Sequence, residues 1–210
     1  MRLTCVSTNL SGHRNNEIPK NNQNRNIKQS ISKNNQFMTA DIFRSIKLGK
    51  EVFHPKFYDE NSFLMEWTVE AGGKVPLHVH YHMDEHFKIT KGEIAFQVNG
   101  EKITKKSGDE FFVPKGTIHS VTNVFKGQSE VTVKYSPCAD THRMFQILST
   151  LDKEKPDSMM NMMKYFYLVP RLGLKEFSSI RPAFLMSIMN GMATIIGKLS
   201  GWDKLITKFK

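Results

Sequence analysis

Four histidines, His78, His80, His82 and His86, fall within nine residues, with Glu85 among them and His119 further along the chain. Imidazole is the commonest metal-ligating side chain. In an extended strand alternate side chains share a face, so His78 and His80 present two rings to one side. Glu85 follows five residues after His80, across the next turn, and His119 lies a strand or two beyond. Three imidazoles and one carboxylate make a mixed nitrogen and oxygen donor set suited to Fe, Mn, Co, Ni or Zn. His86 directly follows Glu85 and is therefore expected on the opposite face of the strand. His82 is expected as a solvated turn residue, with a proton shuttle at the cavity mouth as the alternative. Asn123 is expected to bond a loop rather than a metal.

The segments that must carry these residues read as β structure over 42–136, where short runs of Val, Ile, Phe and Thr are cut by Gly, Pro and Asn. The runs are Ser62 to Val69, Glu93 to Val98, Glu101 to Thr104, Glu110 to Val113, Ser120 to Val124 and Glu130 to Tyr135. Asn99-Gly100 between two of them is a strong hairpin signal, because both central residues of a type I′ turn need positive φ. Phe87, Ile89, Phe96, Phe111 and Val113 are candidates for core or cavity lining. No helix-length periodic segment interrupts the series, which argues for a sandwich or barrel. After Pro137 the spacing turns helical. Met144, Leu148 and Leu151 share one face; a second run, Met159 to Val169, stops at Pro170; a third extends from Ala183 to Leu199; Trp202, Leu205, Ile206 and Phe209 form a last stripe. Ala183, Ser187 and Gly191 recur every fourth residue, a spacing that lets helices pack closely.

Two spaced motifs in the β region resemble those of the cupin superfamily. The first, Gly, five residues, His-x-His, three or four residues, Glu, six residues, Gly, is matched by Gly72, His78, His80, Glu85 and Gly92. The second, Gly, five residues, Pro-x-Gly, two residues, His, three residues, Asn, is matched by Gly108, Pro114, Gly116, His119 and Asn123, with fifteen residues between the two motifs. The resemblance covers residues 40–137 and neither flank. It implies a mainly β fold, a small antiparallel cupin or jelly-roll barrel, here followed by a C-terminal α-helical extension. It also implies that His78, His80, Glu85 and His119 hold one divalent transition metal, Fe or Mn foremost with Ni, Co or Zn open. Two positions of an octahedral shell then stay free for substrate, water or dioxygen. Oxidation of a small organic molecule by dioxygen is the leading implied activity, with Glu85 doubling as a catalytic base. A metal-dependent isomerase or lyase is an alternative. So is a non-enzymatic binding cupin whose helical tail docks on a membrane or partner.

The net charge of +10 suggests an anionic partner, but it is unevenly placed. Residues 1–37 hold six Lys/Arg against one acid, residues 38–140 thirteen against fourteen, and residues 141–210 eleven against five. The metal-bearing region is therefore near neutral, and with no helix-turn-helix pattern a nucleic-acid partner is not expected. Three segments are expected: a disordered basic Asn-rich arm over 1–37, the barrel over 38–137, and the helical extension over 138–210. A hydrophobic fraction of 39% excludes wholesale disorder. Two cysteines make no disulfide framework, and the N-terminus shows no apolar run of signal-peptide length, so a cytoplasmic setting is expected. The uncharged stretch between Arg181 and Lys198 is expected to cap the barrel or form a dimer surface; alternatively, residues 182–210 lie on an anionic membrane. A homodimer and a small-molecule substrate complete the expected partners.

Overall fold

The computed structural model describes residues 42–174 and 179–209, so the arm expected over 1–37 lies outside the described residues. Among the described residues eleven strands form two antiparallel sheets. One, in the order β1 (Ile46–Leu48), β2 (Glu51–Tyr58), β3 (Phe63–Val69), β10 (Ser129–Ser136), β5 (Asp84–Lys91) and β8 (Glu110–Val113), faces the other. The second runs β11 (Ser179–Ile180), β4 (Lys74–Val79), β9 (His119–Asn123), β6 (Glu93–Val98) and β7 (Glu101–Lys106). Strict alternation drives the pairing. On β3, Phe63, Met65, Trp67 and Val69 are buried; on β10, Val131, Val133 and Tyr135 are buried, with Val131 opposite Trp67 and Tyr135 opposite Phe63. A one-residue slip would turn both rows to solvent, so the burial holds the register. Phe87, Ile89, Phe96 and Val113 are core residues as expected, with Phe111 packed against them.

The expected fold class is the observed one, an antiparallel double-sheet barrel followed by helices. The Asn99-Gly100 hairpin joins β6 to β7, with both residues at positive φ. Strands β1 and β2 had no run of their own in the sequence. His54, Pro55 and Lys56 interrupt the hydrophobic alternation there, and the β2–β3 register shifts between Pro55 and Phe57. Proline lacks the N–H that a regular ladder needs, so a bulge there is the tolerated solution.

The extension contains α1 (Thr141–Glu154), α2 (Met159–Arg171), α3 (Ala183–Leu199) and α4 (Asp203–Phe209). Helix α2 passes Pro170 and ends two residues beyond the expected Val169. A proline in the last turn forfeits one hydrogen bond, and the Leu172 N–H still donates to the Leu168 carbonyl at 2.9 Å. A second core joins these helices through Met144, Leu151, Tyr167, Leu168, Ala193 and Trp202. The small-residue stripe is a different one from that expected. Ala183, Ser187 and Gly191 are exposed, whereas Ala193 and Gly197 are buried. A Cβ on Gly197 would come within 2.3 Å of the Tyr167 ring, so the close approach is made there. Helix α3 is apolar around most of its circumference, so composition did not select the face; the Tyr167 platform, edge-on to Trp202, does. The opposite face leaves Phe184, Ile188, Met192, Ile195 and Leu199 exposed. Among the described residues no single helix is long and apolar enough to cross a membrane; α3 and α4 meet that length and composition only as a pair bent by 101°.

The extension is tied to the barrel beside the histidines. Strand β11 pairs with β4, placing Ile180 opposite His78, and the Arg181 N–H donates to the Leu77 carbonyl at 2.7 Å.

Candidate metal centre

Both sheets contribute. His78 is the last residue but one of β4 and sits opposite His119, the first residue of β9. His80 lies just past β4, where the Gly116 N–H donates to its carbonyl at 2.7 Å. Gly116 holds φ +80°, a left-handed conformation that costs glycine little, so the Pro114–Gly116 bend delivers His119 as expected. Glu85 comes from the facing sheet on β5, paired across to Tyr135 of β10.

These four side chains are brought together. Their ligand atoms all lie within 4.8 Å of one another, and all four residues are buried. His78 Nε2 is 3.1 Å from His80 Nε2; Glu85 Oε2 is 3.1 Å from His80 Nε2 and 3.0 Å from His119 Nε2. The second ring nitrogens decide the tautomers. His78 Nδ1 is 2.8 Å from the Pro76 carbonyl, and His119 Nδ1 is 3.0 Å from the Thr117 carbonyl. A carbonyl only accepts, so each Nδ1 carries the proton and each Nε2 turns a lone pair inward. Lone pairs facing one another and a carboxylate oxygen at about 3 Å repel unless a cation or extra protons lie between them. The donor set therefore fits a single divalent metal, with backbone carbonyls orienting two of the rings as outer partners of ligating imidazoles do.

The electrostatics point the same way. Burial, then the neighbouring His119 and His80 rings, push His78 down to about 3, so it stays neutral and keeps its lone pair at physiological pH. For Glu85 burial opposes ionisation, but where the His80 or His119 ring takes up an extra proton on Nε2 its attraction and hydrogen bond outweigh burial and hold the carboxyl well below the usual range. Tyr135 hydrogen-bonds Glu85; burial, then the Glu85 charge, pushes its phenol well above 10. His86 lies on the outer face beside Glu110 at 3.3 Å, as expected. His82 is exposed and lines a separate surface hollow with Asp59 and His142, so it does not stand at the mouth of the metal cavity. Asn123 bonds loops, as expected.

The cluster borders a cavity of about 230 Å³. The barrel supplies Phe53, Met65, Trp67, Phe87, Val121 and Val133; the extension supplies Phe145, Leu148, Met162, Tyr165, Phe166 and Ile180. The helices and β11 thus form part of the wall of the chamber that the histidines face. Three lining residues had no signal in the sequence: Tyr135, Trp67 and Glu51. Their relevance depends on which strands neighbour one another, which no local spacing encodes.

The Glu51 carboxyl makes no hydrogen bond or ion pair among the described residues, and burial pushes it up to about 7 from 4.5. Between those values the folded protein holds a proton that the unfolded chain has released, so stability falls as pH rises through the interval and is lowest above 7. The span corresponds to roughly 2–3 kcal/mol after allowance for partial solvent contact. Glu51→Gln is therefore expected to raise the melting temperature at pH 8 and leave it nearly unchanged at pH 5. Equal melting shifts at both pH values would refute this origin.

A double-sheet antiparallel barrel with a buried three-histidine, one-carboxylate cluster defines a class of small β-barrels whose interior could hold a metal ion. The chain belongs to the cupin superfamily: residues 65–135 match the cupin domain. An uncharacterised protein of Methanocaldococcus jannaschii is 30% identical over 99 residues, covering 47% of this chain and 76% of that protein. The mannose-1-phosphate guanylyltransferase of Klebsiella pneumoniae is 26% identical over 106 residues, 48% of this chain but only 22% of that enzyme. Among solved structures, KdgF from a Halomonas species aligns with a TM-score of 0.43 at 19% identity, over 45% of this chain and 86% of that one.

Proposed function

We propose that the protein is a mononuclear metal-dependent cupin that oxidises a small, largely apolar organic molecule with dioxygen. The observation that carries the reading is the convergence of four ligand atoms within 4.8 Å at the edge of an apolar chamber. His78, His80, Glu85 and His119 would hold the metal, which when bound supplies Lewis acidity and redox exchange with dioxygen. The neutral His78 ring and ionised Glu85 are already in their ligating forms. The phenol of Tyr135 keeps its proton and donates to Glu85, which fixes the carboxylate and tempers its basicity. The apolar wall excludes water and binds the organic body. Inserting both oxygen atoms into the substrate takes four electrons from the substrate alone, so no further reductant is needed.

Metal-assisted isomerisation or lyase chemistry is a second reading, favoured by Glu51. A carboxyl that exchanges its proton near pH 7 inside the chamber suits proton transfer to and from a bound molecule. One experiment separates the two. Protein purified without added metal is assayed for bound elements, then for dioxygen uptake against small aromatic and aliphatic substrates. Iron or manganese with stoichiometric uptake supports the oxygenase. Turnover without uptake supports the second reading, and an absence of bound metal in protein that also fails to take it up on titration would defeat both.

A further inference from the structure

The side of a helix that no protein covers is ordinarily polar, because it faces water. Helix α3 departs from that rule along a continuous stripe. At about 100° per residue, Phe184, Ile188, Met192, Ile195 and Leu199 fall within about 80° of arc. All five are exposed, Ile195 at 64% and Leu199 at 85%. The opposite side is already taken: Ala193 and Gly197 are buried, and the bare backbone of Gly197 lies against the Tyr167 ring. The helix cannot roll its stripe inward without giving up that contact. Single exposed apolar residues need no explanation, but a row of five along one helix marks an interaction surface.

The charges around the stripe point to its partner. Helix α3 carries no acid, and its single charge is Lys198, which lies about 40° to one side of Phe184 on the helical arc. From Arg181 to Phe209 there are four cations, Arg181, Lys198, Lys204 and Lys208, against one acid, Asp203. The Asp203 carboxylate is occupied, accepting the Tyr167 hydroxyl. The described acids of the preceding helices are held as well: Asp152 by Arg44 at 3.3 Å, Glu154 by Lys208, and Asp157 by the Gly49 N–H at 2.7 Å. Lys198 and Lys204 are exposed and have no acidic partner among the described residues. An apolar row beside free cations complements the headgroup boundary of an anionic bilayer, where lysine stems lie along apolar surface and their ammonium groups reach phosphate. A second copy complements it less well, because two-fold pairing sets Lys198 and its surroundings against a surface of the same sign. Seventeen helical residues reach only about 26 Å, short of the roughly 30 Å hydrocarbon core. With one side also fixed on Tyr167, α3 lies along such a boundary and does not cross it. We propose that the exposed stripe of α3, with Lys198 and Lys204 supplying the cations, docks this protein on an anionic lipid bilayer. The proposal is independent of the metal centre and of the chemistry proposed for it.

The test is co-sedimentation of the full chain with vesicles of equal parts phosphatidylglycerol and phosphatidylcholine, and with vesicles of phosphatidylcholine alone. At about 0.1 M salt the anionic vesicles are expected to bind at least about tenfold more tightly. At about 1 M salt the screening length falls from about 10 to about 3 Å, and the two should come within about twofold. Phe184→Ser combined with Ile195→Ser is expected to weaken binding to the anionic vesicles by at least about tenfold. Lys198→Gln should weaken it by about fivefold and leave the neutral vesicles unaffected. These side chains are exposed, so the melting temperature and metal content of both variants should match the wild type, which checks folding. Phe112→Ser on β8 is the control: that ring is as exposed as Ile188 but lies on the barrel, and its loss should not change binding. Failure of the wild type to bind anionic vesicles overturns the proposal. So does binding that survives the paired serine substitutions, which would place the contact elsewhere, as in the basic arm over 1–37. An equal loss from Phe112→Ser would overturn it by showing general stickiness. A dimer in solution that the serine pair converts to monomer, with vesicles unbound, would assign the face to a second copy. Should the serine pair fold poorly, Lys198→Gln decides, and no change in its binding to anionic vesicles counts against the proposal.

Discussion

His119→Ala is expected to weaken divalent metal binding by at least about a hundredfold and to leave the purified protein with almost none. His119 is fully buried, and its ring is set by the Thr117 carbonyl on Nδ1 and its register opposite His78. The substitution removes one of four donors and leaves an empty volume that alanine cannot fill. Loss of outer partners alone typically costs 10–100-fold in metal affinity, so loss of a ligand sits at or beyond that range. Glu85 then loses a 3.0 Å partner while remaining buried, which raises the cost of its charge. His86→Ala is the matched control, since that ring faces solvent beside Glu110 and should leave metal content unchanged. Elemental analysis and competition against a chromophoric chelator measure both variants. Full occupancy in His119→Ala would remove this residue from the ligand set. The wild type should also melt higher with metal than without, because a ligand that binds only the folded state stabilises it by mass action; that increment should vanish in the variant.

The residues of this centre could be picked out of the chain because their geometry is local. His78 and His80 share a face through alternation, Glu85 follows across one turn, and a proline-glycine bend sets His119 at the head of its strand. What escaped is non-local. Tyr135 reads as one more buried residue of an alternating strand, and only the β5–β10 pairing puts it on Glu85. Glu51 belongs to a strand that proline and charges disguise, and its place on the chamber wall depends on β2 lying beside β3. The helices were readable by period, and α3 begins and ends where the pattern did. Their packing was not, because a helix apolar on most sides carries no mark of which side is covered. That the extension would help wall the chamber follows from two residues, β11, whose shortness gave no strand signal but which clamps the chain onto His78's own strand.

Asn123→Ala is expected to lower stability by about 3–4 kcal/mol, a large share of a typical domain's 5–15 kcal/mol. Asn123 is 1% exposed, and its amide is fully engaged. Nδ2 donates to the Val69 and Gly127 carbonyls, both at 2.9 Å; Oδ1 accepts from the Phe125 N–H at 2.9 Å and the Ser129 hydroxyl at 2.8 Å. Ser129 Oγ in turn accepts from the Glu93 N–H at 3.2 Å, and the Asn123 backbone exchanges bonds with Gly72 and Gly73. One side chain thus joins the turn after β3, the loop after β9 and the starts of β6 and β10. Alanine breaks all four side-chain bonds and strands partners that water reaches poorly, the costly half of losing a hydrogen bond. Aspartate is no remedy, because it cannot donate to two carbonyls and brings a buried charge. A loss of this size corresponds to a fall of about 10 °C in melting temperature for a chain of this length. Denaturant unfolding of chelator-treated protein isolates the effect from metal, since His119 lies on the same strand four residues earlier. A loss below 1 kcal/mol would mean that the loops close without Asn123, and that its place in the spaced motif has another cause.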